Sequence, residues 1–124
     1  FKADNEQIDL ARFNNAVELS GLSEILKNNT DKEFFQIGEF GKRISGGQKQ
    51  KIGIARAIYK DAPLIIFDES TNALDEKSEK NIVDNILSLK EKTIIFITHN
   101  LNNLKNFDGV YEIKNNQLNK RIVK

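Results

Sequence analysis

Two acidic residues, Asp68 and Glu69, stand directly after the apolar run Leu64-Ile65-Ile66-Phe67, and the single histidine, His99, follows a second run, Thr93-Ile94-Ile95-Phe96-Ile97-Thr98. Successive side chains of an extended segment point to opposite sides, so adjacent acids at its end can divide labour. Asp68 suits a magnesium ion held through water, and Glu69 suits a general base that polarises an attacking water. Taken alone, an Asp-Glu pair is equally a solvated strand boundary, and a lone histidine is more often a hydrogen-bonded structural residue. The apolar runs weigh against those plain readings, because charged groups closing a buried strand cost desolvation free energy unless an ion or hydrogen bonds compensate. A third feature is Ser45-Gly46-Gly47-Gln48 at the start of a helical pattern. Glycines let a backbone approach a ligand, and the free amides of a helix start favour an anion such as a phosphate. The plain alternative there is an N-cap with a flexible turn.

The elements that must carry these residues follow from apolar spacing. Between residues 8 and 27, Ile8, Leu10, Ala11, Phe13, Ala16, Val17, Leu19, Leu22, Ile25 and Leu26 recur at three and four, which predicts one or two amphipathic helices bent at Ser20-Gly21. From Asn28 to Arg43 the pattern breaks into loop. Ser45 then caps a helix carrying Ile52, Ile54, Ala55, Ala57 and Ile58, which ends near Asp61-Ala62-Pro63. Leu64 to Phe67 and Thr93 to Thr98 read as buried parallel strands joined by a helix over residues 76–90. A short helix near Leu101 to Lys105 precedes a hairpin that turns at Asn115-Asn116. Two parallel strands ending in Asp68-Glu69 and in His99 put a site beyond their carboxyl ends, where open α/β sheets bind ligands.

Composition limits the classes. The 124 residues carry 19 Lys plus Arg against 18 Asp plus Glu, so no strong overall field points to nucleic acid. Without cysteine there is no disulfide, thiolate nucleophile or thiolate metal site. The apolar runs at 64–67 and 94–97 fall far below the roughly 20 residues that span a bilayer, and Phe1-Lys2-Ala3-Asp4 is no signal peptide, so any membrane link is expected through a partner.

In order along the chain, Ile44-Ser45-Gly46-Gly47-Gln48, Leu64 to Glu69, Ser70-Thr71-Asn72-Ala73-Leu74-Asp75 and His99 resemble the signature, Walker B, D-loop and switch histidine of the nucleotide-binding domain of an ATP-binding-cassette transporter. The resemblance covers residues 37–118, about two thirds of the chain, and takes in the helix from Gln50 to Ala57. Ile37 to Gly41 is similar to the loop by which exporter-type members contact their membrane domain. Ile44, Ser70, Asn72 and Asn100 depart from the commoner family residues without removing a catalytic group.

The resemblance implies an α/β, partial P-loop ATPase fold, with a helical subdomain over 1–62 and the C-terminal part of the ATPase core over 63–124. No G-x-x-x-x-G-K-[ST] phosphate loop is present, since Gly41-Lys42 is followed by Arg43, and this reads as the C-terminal part of a longer cassette. By resemblance, two cassettes pack head to tail around ATP. Ser45, Gly46, Gly47 and Gln48 cover the partner's γ-phosphate, Asp68 binds Mg2+, Glu69 is the general base and His99 contacts the γ-phosphate. Ser70 and Asp75 line the path between sites, and Glu39 passes closure to the transmembrane domain at the inner face of the membrane. The isolated chain is expected to be inactive and, with Ile94 to Ile97 as an unpaired edge, to self-associate. Two other readings stay open: the C-terminal lobe of a DNA-repair or chromosome-condensation ATPase, and a module that docks on a complete cassette without catalysis.

Overall fold

In a computed structural model that describes residues 8–28 and 44–122, the periodic segments become helices where their apolar faces meet one small sheet. Helix α1 (Leu10–Leu19) starts at Asp9, whose side chain accepts the Arg12 amide at 3.0 Å. The chain turns at Ser20-Gly21, with Gly21 at φ +69, and α2 (Ser23–Asn28) follows. The bend lies where the sequence put it, because a left-handed residue at a helix end is cheapest for glycine. The expected contact loop Ile37 to Gly41, with Glu39, lies outside the described residues.

Helix α3 (Gly46–Lys60) opens on a full capping box. The Ser45 hydroxyl accepts the Gln48 amide at 3.2 Å, and the Gln48 Oε1 accepts the Ser45 amide at 3.0 Å. The helix ends on Asp61 in the left-handed region, before Ala62-Pro63. Strand β1 (Leu64–Asp68), helix α4 (Glu76–Leu87) and strand β2 (Thr93–Ile97) then form the expected strand-helix-strand unit, with β1 parallel to β2. A 3-10 turn (Leu104–Asn106) leads to the antiparallel hairpin β3 (Val110–Lys114) and β4 (Gln117–Arg121). Its two-residue loop places Asn115 at φ 51 and Asn116 at φ 58, the paired positive φ of a hairpin turn that asparagine tolerates. The fold is α/β.

One core joins the helical layer to the sheet. Ala16 of α1, Ile54 and Ile58 of α3, Ile65 and Phe67 of β1, and Ile82 and Ile86 of α4 are buried together. Phe96 of β2 packs against them, 6.1 Å ring to ring from Phe67, and Phe107 continues the row at 5.7 Å. The two strands differ from their expected burial. Continuous apolar runs predict cover on both faces, but the helices cover only the face of Ile65 and Phe67. Leu64, Ile66, Ile95 and Ile97, alternating with those residues, remain 45 to 57% exposed.

At the amino end of the strands, polar groups tie three elements together. The Lys92 ammonium lies 2.7 Å from Asp61 Oδ1 and donates to the Asp61 carbonyl at 2.8 Å, while the Arg12 guanidinium lies 3.6 Å from Asp61 Oδ2. The Lys92 hydrogen bond and charge, with help from Arg12, hold the Asp61 carboxyl below the usual aspartate range.

Truncating Phe67 to Ala removes the largest fully buried side chain. The expected loss is about 3–5 kcal/mol, read as a lower denaturation midpoint in urea. Because Asp61 keeps its charge to lower pH folded than unfolded, its contribution is complete above the ordinary aspartate range and shrinks as pH falls through and below it. Asp61→Asn is therefore expected to flatten the acid limb of the stability profile in that window and to leave the slope near neutrality unchanged.

Candidate functional site

The parallel register fixes which residues meet. Asp68 pairs with Ile97, and the ladder runs one residue further, the Glu69 amide donating to the Ile97 carbonyl at 3.0 Å. Both strands therefore end at the same level, and the residues just past them share one edge. Glu69 turns there into the left-handed region, φ 46, a conformation that costs a residue with a Cβ roughly 1–2 kcal/mol. Its carboxyl meets His99, Oε1 to Nε2 at 2.6 Å, so Nε2 is the donor. The second oxygen, Oε2, accepts the Asn72 side-chain amide at 3.0 Å.

What holds Glu69 in this turn is a glutamine of α3. Gln50 Nε2 donates to the Glu69 carbonyl at 3.3 Å, and Gln50 Oε1 accepts the Ala73 amide at 2.8 Å. One side chain thus clamps both ends of the loop between β1 and α4. Gly47 packs on the same loop. A Cβ there would lie 3.0 Å from the Ala73 carbonyl oxygen and 3.3 Å from Leu74 Cδ2, so a side chain at this position would press the loop back by a few tenths of an ångström. At Gly46 a Cβ would meet only the Ala73 Cβ, at 3.5 Å.

The residues singled out from sequence fall into two groups. Asp68, Glu69 and His99 cluster at the strand ends, with Ser70 beside them through its hydroxyl, which donates to the Asp68 carbonyl at 3.3 Å. The Asp68 carboxyl is exposed and takes part in no hydrogen bond or ion pair among the described residues. Ser45, Gly46, Gly47 and Gln48 form the start of α3, joined to that cluster through Gln50 and the packing of Gly47 rather than by direct hydrogen bonds. The Gln48 side chain is engaged in the cap, whereas the Gly46 and Gly47 amides, in the first turn, have no acceptor within the helix. Asp75 caps α4. Its Oδ1 accepts the Ser78 amide at 2.9 Å, and hydrogen bonds from the Ser78 side chain and backbone hold its carboxyl below the usual range.

Four residues of this neighbourhood had no assigned role in the sequence reading: Gln50, Thr71, Asn72 and Glu79. Glu79 carried a signal. It falls three, four and seven positions before Ile82, Val83 and Ile86, on the buried stripe of α4, and is itself 6% exposed. The Thr71 hydroxyl donates to Glu79 Oε1 at 2.8 Å and the Asn100 side-chain amide donates to Glu79 Oε2 at 2.6 Å. An open cleft of about 510 Å³ lies alongside, bounded by Thr71, Leu74, Glu79, His99 and Asn100. The strand ends thus offer a carboxyl acceptor with its imidazole donor, an unengaged carboxyl and, one helix away, an anion-favouring turn.

Comparison with known proteins places the chain in a family. The family described as ABC transporter matches residues 3–72, more than half of the chain. An ATP-dependent lipid A-core flippase of Ralstonia nicotianae is 38% identical over 116 residues, 93% of this chain and 20% of the relative. A mesentericin transport/processing ATP-binding protein of Leuconostoc mesenteroides is 38% identical over 94% of this chain and 16% of its own length. A solved bacterial Atm1-family ABC exporter with ATP bound superposes with a TM-score of 0.82 at 26% identity, covering 93% of this chain and 20% of that one. The chain spans about a fifth of the length of these relatives. On the family match over more than half of its length and relatives of this identity, the chain belongs to the ABC transporter family.

Proposed function

We infer that this chain supplies part of the ATP-hydrolysing machinery of an ABC exporter or flippase, in which ATP hydrolysis drives movement of a substrate across a membrane. The observation that carries this reading is the 2.6 Å contact of Glu69 with His99 at the shared carboxyl end of two parallel strands. That contact joins the only histidine to an acid held by a strained backbone turn, and a purely structural strand boundary has no need of either. The names of the relatives, a lipid A-core flippase and a mesentericin transport/processing ATP-binding protein, support export rather than DNA metabolism.

The residues present fit the groups this chemistry uses. The Asp68 carboxyl, an exposed hard oxygen donor with no other partner among the described residues, would hold Mg2+, which supplies charge neutralisation on the phosphates. Glu69 would orient and deprotonate the attacking water. In the structure both of its oxygens are engaged, so one of the contacts from His99 and Asn72 has to open before water is accepted. His99, with its side chain 85% exposed, is placed to exchange the Glu69 oxygen for a phosphate oxygen. Ser45 and the first-turn amides of Gly46 and Gly47 would contact the γ-phosphate of ATP bound by a second cassette, with Gln48 fixing that turn through the capping box. Ser70 and Asp75, on the loop between β1 and α4, would line the passage between the two sites. No described helix is long and apolar enough to cross a membrane, so attachment to the membrane would come through a transmembrane domain.

Phosphoryl transfer is governed by positioning and electrostatics, so removing the base while keeping the shape separates hydrolysis from binding. In the complete protein, Glu69→Gln is expected to lower ATP turnover about a hundredfold to ten-thousandfold while nucleotide stays bound. Steady-state phosphate release with a parallel nucleotide-retention assay reads both. Undiminished turnover removes Glu69 from the role and the reading with it.

A further inference from the structure

Among the described residues, Glu79 is the only buried ionisable side chain, and the hydrolytic reading gives it no task. Its two carboxyl oxygens face different loops. Oε1 accepts from Thr71, two residues beyond Glu69 on the loop after β1, and Oε2 accepts from Asn100, the residue after His99 on the loop after β2. Asn100 is itself held at both ends of its amide. Its Oδ1 accepts the Asn102 amide at 3.0 Å, and its backbone amide donates to Thr98 Oγ1 at 2.9 Å. Glu79 stands in the first turn of α4, where the helix end favours negative charge, and its own amide donates to the Asp75 carbonyl at 2.9 Å.

The Glu69–His99 contact joins two exposed side chains, and such a contact does not set the spacing of the loops that carry it. A buried two-armed acceptor does, because its two oxygens tie one donor from each loop, and parting from either leaves a buried polar group without its partner. A carboxyl group offers two equivalent acceptors, matching one hydroxyl donor and one amide donor. We propose that Glu79 is a positioning residue which, through Thr71 and Asn100, holds the loop of Glu69 and the loop of His99 at the spacing that hydrolysis uses. The role belongs to the turnover step and not to nucleotide affinity, since Glu79 lies beneath the loops. The proposal rests on the hydrolytic reading above.

The experiment measures kcat and KM for ATP in the complete protein for Glu79→Ala, Glu79→Gln, Asn100→Ala and the Glu79→Ala/Asn100→Ala double variant, with Glu69→Gln alongside. Misplacing a catalytic group by about 1 Å costs up to roughly a hundredfold, so Glu79→Ala is expected to lower kcat about tenfold to a hundredfold with KM within about threefold. Glutamine can still accept from Asn100 while its amide donates to the Thr71 hydroxyl, so Glu79→Gln is expected to recover kcat to within about threefold of the parent. Asn100→Ala lowers kcat in the same direction, and the double variant falls no further than Glu79→Ala, because both cut one connection. A parental kcat in Glu79→Ala, a glutamine variant as impaired as the alanine variant, or additive losses in the double variant overturns the proposal. If Glu79→Ala does not fold, Asn100→Ala, which severs a half-buried arm, carries the test: a fall in kcat at constant KM supports the proposal, and an unchanged kcat overturns it. Turnover lost in Glu69→Gln but kept in Glu79→Ala discards this inference alone, whereas turnover kept in Glu69→Gln discards the hydrolytic reading and this inference together.

Discussion

The parallel pairing of β1 with β2, in the register that sets Asp68 beside Ile97, is the constraint on which the site depends. A slip of one residue would carry Ile65 and Phe67 to the open face and empty the core. Core packing and site geometry are therefore one requirement. The burial that locks Phe67 against Ile54, Ile82 and Ile86 also fixes the level at which Glu69 and His99 leave the sheet. The extra ladder bond from the Glu69 amide to the Ile97 carbonyl ends regular pairing where the left-handed turn begins.

Above this register lies a layer of side-chain hydrogen bonds. Gln50 reaches from α3 to both ends of the loop after β1, and Glu79 reaches from α4 to that loop and to the one after β2. The exposed contact of Glu69 with His99 is thus bracketed by hydrogen bonds from the two helices that build the core. The arrangement explains how a strained residue persists: Glu69 is held from its amide, its carbonyl and both carboxyl oxygens. It also links the capped glycine turn to the strand ends. Gly47 packs on the loop that Gln50 clamps, so the start of α3 and the Glu69 turn are joined by direct contacts.

Much of this was legible in the sequence because it rests on local chemistry. Period and capping residues located α1, α3 and α4, the Ser45 cap formed with its Gln48 return, and the paired asparagines turned the hairpin. Asp68, Glu69 and His99 were legible from their place after apolar runs. Gln50, Asn72 and Asn100 were not, because an amide side chain outside the core has no periodic signature and its partner is fixed only when separate segments meet. Glu79 was an intermediate case, visible as a charge on an apolar stripe, with partners 8 and 21 residues away that no spacing rule supplies.

The one-sided burial of the strands follows from the difference between what a residue is chosen to contact and what this chain contains. Leu64, Ile66, Ile95 and Ile97 have the composition of a strand covered on both faces, yet they stand about half exposed, and β2 has one hydrogen-bonded neighbour among the described residues. Apolar surface left in water forgoes about 25 cal/mol for each Å², and a free strand edge accepts further pairing. The relatives are about five times longer than this chain. The site is not exposed to that deficit in the same way. Its register, its loop clamps and its buried acceptor are drawn from the covered face and from α3 and α4, so the strand-end cluster is organised by contacts internal to the chain. What the open face withholds is overall stability, while the relation of Glu69 to His99 is set by the side of the sheet that is already packed.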